Sequence, residues 1–435
     1  MAEIYPFRSV RYNQSIVKDL SEVICPPYDI ISPQLEQELY RRSQYNFIRI
    51  ENNQQLPQDS TLDNKYTRSA AILGKWLNQK VLITDKAPAI YIHDHHFIHQ
   101  GKEYRRRGLI VRVRLEEWHK NIIRPHEGTL AEPKGDRINL LWALRANTSP
   151  ILAMLEDQGQ RVSSLLAQES SKPIISLDSS SGERHNVWAI TEPQVISEIC
   201  SFFTEKPLYI ADGHHRYESA LIYQREQHTL SSTASGNEAF NFVMMTLVDF
   251  ADPGLIILPP YRLLRGLPPP KIGNLMTKIQ SFFDVEELPL DLPGVWQLVD
   301  DLLAGANRTR LVLSGLVAEK LLVLTLRDFN TAKKMMPYFH SELYKELDVS
   351  VVDHIILEEL LGLSGSEDEA KISYNYDMKD TVNRVLAQEY QLAFILRPIK
   401  AEVIKAVADA GDRMPRKSTY FYPKLPSGLV LNRLV

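Results

Sequence analysis

Cysteine is nearly missing from this chain. Only Cys25 and Cys200 carry thiols among 435 residues, too few and too far apart for a disulfide scaffold or a cysteine-based zinc ribbon. No apolar run reaches the ~18 residues a membrane helix needs, and no apolar leader opens the sequence. The expectation is a reduced, cytoplasmic protein with no membrane partner. An excess of one charge is also lacking: 50 Lys and Arg against 54 Asp and Glu give a net charge of −4. No global field therefore recruits nucleic acid, and any anion site has to be local. Internal repeats, low-complexity tracts, a helix-turn-helix and a long basic face are absent as well.

What is present is alternation of strands and helices, which predicts a mixed α/β (α+β) chain. Its length exceeds one ordinary core. The proline-dense stretch "DPGLIILPPYRLLRGLPPP" (252–270) suggests a division near 268, giving units 1–267 and 268–435, the second smaller. Ser32-Pro33 predicts a helix start, with a hydroxyl cap and a proline whose missing N–H costs nothing at the first helical position. "AIYIHDHHFI", "QGKE" and "YRRRGLIVRVRL" (89–115) predict a hairpin around a glycine turn. "FIRIE" (47–51) reads as a strand ending at Glu51, and "IIRPHEGTLAEPKGDR" (122–137) as a polar loop rich in helix breakers. The mostly polar stretch 157–186 reads as an exposed loop or hairpin tip. Beyond 268, strands are expected at "SFFDVEEL", "RLVLSG", "LLVLTL" and "LAFIL", and helices at 350–363, 378–388 and 401–410.

The stretch with the densest chemistry is "YIADGHHRYESAL" (209–221). A short apolar run precedes it and an amphipathic one follows, so "DGHHR" sits at a strand-to-helix turn. Helix N-termini offer unpaired N–H groups and a partial positive charge; Gly213 allows close backbone approach, and Arg216 adds a two-pronged donor. That combination suits phosphate. Asp212 is placed to hold Mg²⁺ or to take a proton; the plainer alternative is that it caps the helix. "RMPRKSTYFYPK" (413–424) brings Arg413, Arg416, Lys417 and Lys424 with Ser418 and Thr419 and no acid, an anion clamp or else a solvated basic loop. His126 or Glu127, within "RPHEGT", and Asp29 or Glu51 are candidate catalytic groups, either carboxylate being suited to accept a substrate hydroxyl proton. His93, His95, His96 and His99 lack clear supporting ligands for zinc and read more simply as exposed polar residues of a strand. Asp353 and His354 lie on a core helix.

"PPYDII" (26–31), "YNFIRIE" (45–51), "RPHEGTLAEPKGDR" (124–137), "YIADGHHRYESAL" and "MPRKSTYFYPKLPSGLV" (414–430) together resemble the prokaryotic domain-of-unknown-function 1015 family, almost end to end. The family name implies no reaction. "DGHHRY" further resembles the box of the ParB and sulfiredoxin superfamily, most of all the version in free-serine kinases. This second resemblance covers about a dozen residues. It implies a ParB/sulfiredoxin-like core with Gly213, His214, His215 and Arg216 at nucleotide phosphates and Asp212 near a metal or the transferred group; Arg413, Lys417, Ser418 and Thr419 are expected as further phosphate contacts from the composition of the basic loop alone. ATP or ADP with Mg²⁺, and a hydroxylated metabolite such as free serine, are the implied ligands. Sulfiredoxin carries its catalytic cysteine where His214 stands, so that chemistry is excluded. One departure from the family pattern is Tyr261, where relatives tend to have histidine before the arginine. The competing reading is a nucleotide-binding regulatory protein without metabolic catalysis.

Overall fold

A computed structural model describes residues 2–157, 160, 162, 164, 172–179, 181–204, 206–230, 236–305 and 307–435. The first of two units comprises Met1–Pro125, Thr129–Ile256 and Pro423–Val435; the second comprises His126–Gly128 and Ile257–Tyr422. The chain thus divides in four places, where the sequence suggests one. Tyr261–Leu264 already belongs to the second unit's sheet. The prolines at 268–270 open a short helix, Pro269–Gly273, instead of a linker, because a first helical turn leaves its N–H groups unpaired and tolerates proline. The basic loop is divided too: Arg413, Lys417, Ser418 and Thr419 fall in the second unit and Lys424 in the first.

The first unit is built on a nine-stranded mixed sheet. Its strands are β1 (Ile4–Tyr5), β2 (Ile90–His99), β3 (Lys102–Arg114), β4 (Ile123–Arg124), β5 (Ile151–Leu155), β6 (Ile175–Asp178), β7 (Arg184–Ile190), β8 (Leu208–Asp212) and β9 (Phe242–Asp249). They run in the order β4-β8-β5-β9-β3-β2-β7-β6, with β1 added to β3. β8 is parallel to β4, and β9 to β5; the other pairs are antiparallel. Alternation sends Tyr91, Ile110 and Met244 into one core, and Ile90, Ile92, Leu109, Val111, Val243 and Met245 into another. Both faces are covered, which is why these strands read as nearly continuous apolar runs. The β2–β3 hairpin turns through Gln100 and Gly101, both with positive φ, matching the expected glycine turn. The polar stretch 157–186, part of which lies outside the described residues, includes β6 and enters the antiparallel β6–β7 pair.

Helices α1 (Pro33–Arg42), α2 (Ile48–Glu51), α3 (Lys65–Asn78), α4 (Ala131–Leu144), α5 (Pro193–Phe203) and α6 (His214–Leu230) complete this unit. Ser32 caps α1 by accepting the N–H of Leu35. Two expectations are overturned. "FIRIE" is helical, because buried Asn46 accepts the N–H of Ile48 and turns the chain so that Phe47, Ile48 and Ile50 all pack inward. "AEPKGDR" opens α4, since Pro133 and Gly135 lie near its start, where missing or weak helical bonds cost least.

The second unit holds a six-stranded antiparallel sheet: β10 (Tyr261–Leu264), β11 (Phe283–Pro289), β12 (Arg310–Ser314), β13 (Lys320–Leu326), β14 (Ile372–Asn375) and β15 (Leu392–Ile395), ordered β11-β13-β12-β15-β10-β14. The expected strands are all present, and so are helices at Met378–Leu386 and Ala401–Asp409. Val352–Leu360 differs in winding as a π-helix.

Asp348 is buried in this unit and pairs with Arg397 at 2.5 Å. Burial outweighs the guanidinium and pushes its carboxyl up to about 6. A raised folded pKa favours the protonated form, so this stability is present below the unfolded value and lost as pH rises through 6. Between about pH 4 and about pH 7 the wild type is expected to lose on the order of 3 kcal/mol relative to Asp348→Asn. Denaturant unfolding of both proteins across that range measures it; a difference that does not vary with pH contradicts the assignment.

Candidate functional site

Asp212 ends β8, and the register of β8 against β5 shifts between Ile210 and Asp212. In a regular strand, residues two apart share a face, so Asp212 would follow Ile210 into the apolar core; a bulge re-aims it. Gly213 follows at φ 98, and α6 begins at His214. The expected strand-to-helix turn is therefore observed, with its carboxylate turned out of the core.

Each oxygen of Asp212 accepts from a cation. Lys424 Nζ donates to Oδ1, and Arg216 Nη2 donates to Oδ2 at 2.8 Å. Burial by itself would raise the Asp212 pKa, but Lys424 and Arg216 outweigh it and hold the carboxyl well below the usual carboxylate range. Lys424 is raised in turn: desolvation opposes its charge, while Asp212 and then Asp29 restore it. Arg216 Nη1 donates to the Pro150 carbonyl at 2.6 Å and to Ser149 Oγ at 3.2 Å. Its buried Nε has no hydrogen-bond partner among the described residues.

Ser149 links this collar to Glu51. Its hydroxyl lies 3.3 Å from Glu51 Oε1, which also accepts from Arg137 Nη1 at 3.3 Å. Glu51 is fully buried, and desolvation raises its pKa against the pull of Arg137. Arg137 is braced by Asp136, 2.8 Å from its Nε, and lies over the Tyr28 ring at 3.9 Å. A cleft beside these groups is lined on one part by Arg137, Thr148, Ser149 and Arg216 and on another by apolar residues such as Leu140 and Val243. Asp29, in the turn Tyr28–Ile30, is exposed, and its charge reaches Lys424.

The second unit gathers other predicted residues. His126 Nε2 lies 3.0 Å from Thr419 Oγ1, the His126 carbonyl accepts the N–H of Met414 at 2.8 Å, and Glu127 Oε1 accepts the N–H of Ser418 at 3.3 Å. Ser418 is buried, whereas Lys417 is exposed and Arg413 half-buried. His214 is buried and acts electrostatically on Asp212. His215 Nε2 accepts the N–H of Leu130 at 2.9 Å, which fastens the start of α4 and leaves the ring proton on Nδ1.

The reading of His93 and His95 as exposed is corrected: both are buried. They gather with Glu183 and His185 of the neighbouring hairpin, and His95, Glu183 and His185 have ligand atoms within 4.8 Å of one another. A metal nevertheless fits poorly. Arg106 Nη2 donates to His95 Nδ1 at 3.1 Å, which leaves the ring proton on Nε2, facing Glu183 at 2.7 Å. A metal at that Nε2 would need an anionic ring beside a guanidinium. Desolvation keeps all three histidines neutral, with pKa values well below the usual range.

The model of the family described as protein of unknown function (DUF1015) matches residues 4–350. The chain belongs to that family. A comparison with curated proteins finds no match. Similar solved structures include a free serine kinase in complex with AMP, at 13% identity over 74% of this chain and 91% of that one, TM-score 0.37. A conserved hypothetical protein from Pyrococcus furiosus aligns at 14% identity over 74% and 95%, TM-score 0.37. SbnI with a C-terminal truncation, from Staphylococcus aureus, aligns at 10% identity over 74% and 87%, TM-score 0.37.

In this DUF1015 chain, the sequence alone leaves Tyr28, Arg106 and Ser149 out of the site and offers Arg137 without a role. Arg137 stands in a motif that reads as loop; Ser149, in "NTSP", carries no local signal. No helix among the described residues is long and apolar enough to cross a membrane. A Cβ at Gly213 would come within 3.0 Å of the Arg216 guanidinium, on a backbone that side chains rarely adopt. Gly213→Ala is expected to cost about 1–3 kcal/mol of unfolding free energy. Denaturant melts test this, and unchanged stability would contradict the turn geometry.

Proposed function

We propose that the collar of Asp212, Lys424 and Arg216 receives the phosphates of a nucleotide, ATP or ADP, on a ParB/sulfiredoxin-like core, and that the protein transfers a phosphoryl group to the hydroxyl of a small metabolite such as free serine. The observation that carries this is the convergence of two cations on one carboxylate at a glycine turn before a 17-residue helix. Arg216 Nε, which has no hydrogen-bond partner among the described residues, is a donor left open for an anion. The "DGHHRY" resemblance supports the same ligand.

Asp212 is the expected Mg²⁺ ligand, and it does not fit that part. Both oxygens already accept from cations, and a divalent ion there would set two more positive charges beside an ammonium and a guanidinium. No step is routed through a metal here. In the proposed transfer, the acceptor hydroxyl oxygen bonds to the terminal phosphorus of ATP, the bond to the bridging oxygen breaks, and ADP leaves. The hydroxyl proton goes to a carboxylate. Asp29 is exposed beside Lys424, whereas Glu51 is sealed and engaged by Arg137; Asp29 is the base in this reading, and Glu51 a support for Arg137 and Ser149. His126, Glu127, Arg413, Lys417, Ser418 and Thr419 lie in the second unit and have no part in this reading.

Calorimetry with ATP tests the phosphate site. Arg216→Ala is expected to weaken binding about ten- to a hundred-fold, the usual cost of a lost charged partner. Asp212→Asn releases both cations from competition, so its ATP affinity is expected to equal or exceed that of the wild type. Weaker binding in Asp212→Asn that is restored by raising Mg²⁺ would return Asp212 to the metal. Phosphorus NMR of ATP with free serine and other hydroxylated metabolites reads transfer, and tight binding with no transfer to any acceptor would favour the regulatory alternative.

A further inference from the structure

Arg106 is, with Arg262, one of the two largest fully buried side chains among the described residues, almost sealed from solvent. Burial lowers its pKa to about 10, yet it remains charged at neutral pH, and burying a guanidinium is costly unless its donors are used. Its Nη2 donates to the Pro423 carbonyl at 2.8 Å and to His95 Nδ1 at 3.1 Å. His95 turns its remaining proton toward Glu183, and His93 lies 3.0 Å from His185 behind it. Pro423 immediately precedes Lys424, whose ammonium meets Asp212. The line Glu183, His95, Arg106, Pro423, Lys424 therefore ends on the collar, entirely within the first unit.

We infer that Arg106 is a positioning residue for Lys424: it fixes the Pro423 carbonyl, and so the backbone from which the lysine reaches Asp212, with His95 and Glu183 holding the guanidinium in place. The need for such a brace is local. Beyond Lys424, the returning segment is held by backbone pairs of Ser427 with Cys25 and Leu431 with Val10, but these bonds begin three residues after the lysine. Arg106 supplies a fixed, charged donor at the carbonyl on the other side. A neutral donor there would make a bond roughly half as strong. The histidine cluster then has a use that does not require metal, because a neutral His95 can accept from arginine on one nitrogen and donate to Glu183 from the other.

What Lys424 is for rests on the anion-site reading above; that Arg106 places it does not, and two measurements separate the claims. The first needs no nucleotide. Amine acylation of the intact protein, followed by peptide mass spectrometry, reports the accessibility of each lysine. Lys424 is expected to be modified at least about ten-fold faster in Arg106→Met than in the wild type, with Lys65 and Lys134 unchanged as internal standards. Equal labelling of Lys424 in folded variant and wild type overturns the inference. If Arg106→Met does not fold, Arg106→Lys keeps the buried charge without the fork, and faster labelling of Lys424 is expected there also, unchanged labelling again counting against the idea. The second measurement is ATP affinity in a double-mutant cycle. Arg106→Met weakens binding about ten-fold in the wild-type background and has no effect in Lys424→Met, because Arg106 acts only through the lysine. A full ten-fold loss in both backgrounds would show a general loosening of the fold and overturn the positioning role. Absence of ATP binding by the wild type, with Lys424 labelling still governed by Arg106, would remove the nucleotide reading and leave the placement standing.

Discussion

The carboxylate of Asp212, held between an ammonium and a guanidinium, is the interaction on which the arrangement of the first unit depends. Buried ion pairs are costly unless their geometry is well met, and here one acid faces two bases. Three features of the chain converge on that geometry. A bulge turns the end of β8 outward, a left-handed glycine lets α6 start immediately after it, and the last stretch of chain returns to the first unit to bring Lys424. Two of them also serve the apolar cores, to which α6 gives Tyr217 and Leu221 and the returning stretch gives Leu429, Leu431 and Leu434. Together they build a surplus of positive charge at a helix N-terminus, which is the electrostatic condition for binding an anion.

Around this collar, polar groups that are expensive to bury satisfy one another in short chains. Ser149 lies between Arg216 and Glu51, Arg137 between Glu51 and Asp136, and Arg106 between His95 and Pro423. Such networks fix side chains that would otherwise have several rotamers, and removal of one member leaves the next unsatisfied. Fixed charges of this kind hold an anion without the cost of reorganising a flexible surface.

Much of this is legible in the sequence. Two-residue alternation in "AIYIHDHHFI" and "LIVRVRL" marks the long hairpin, Ser32-Pro33 marks α1, and an apolar run followed by Asp-Gly marks the turn at 212–213. These are local signals. Expectation fails where distant residues decide the backbone. "FIRIE" has the composition of a strand, but Asn46, bonded to the carbonyl of Glu22, turns it into a helix. The prolines at 268–270 resemble a boundary, yet the crossing points follow strand pairing that no short window shows. Ser149 and Arg106 gain their parts only from residues far along the chain, at Glu51, Arg216 and Pro423. His95 reads as solvent-facing because its partner strand, which carries His185 and is preceded by Glu183, is some ninety residues away.

A crystal structure of the protein with a non-hydrolysable ATP analogue would decide whether the collar at Asp212 is a phosphate site. The expected result is phosphate oxygens within hydrogen-bonding distance of Lys424 Nζ and Arg216 Nε, with the backbone N–H groups after Gly213 completing the cradle. A nucleotide bound elsewhere, with the Asp212–Lys424 pair intact and its surroundings unchanged, would contradict it.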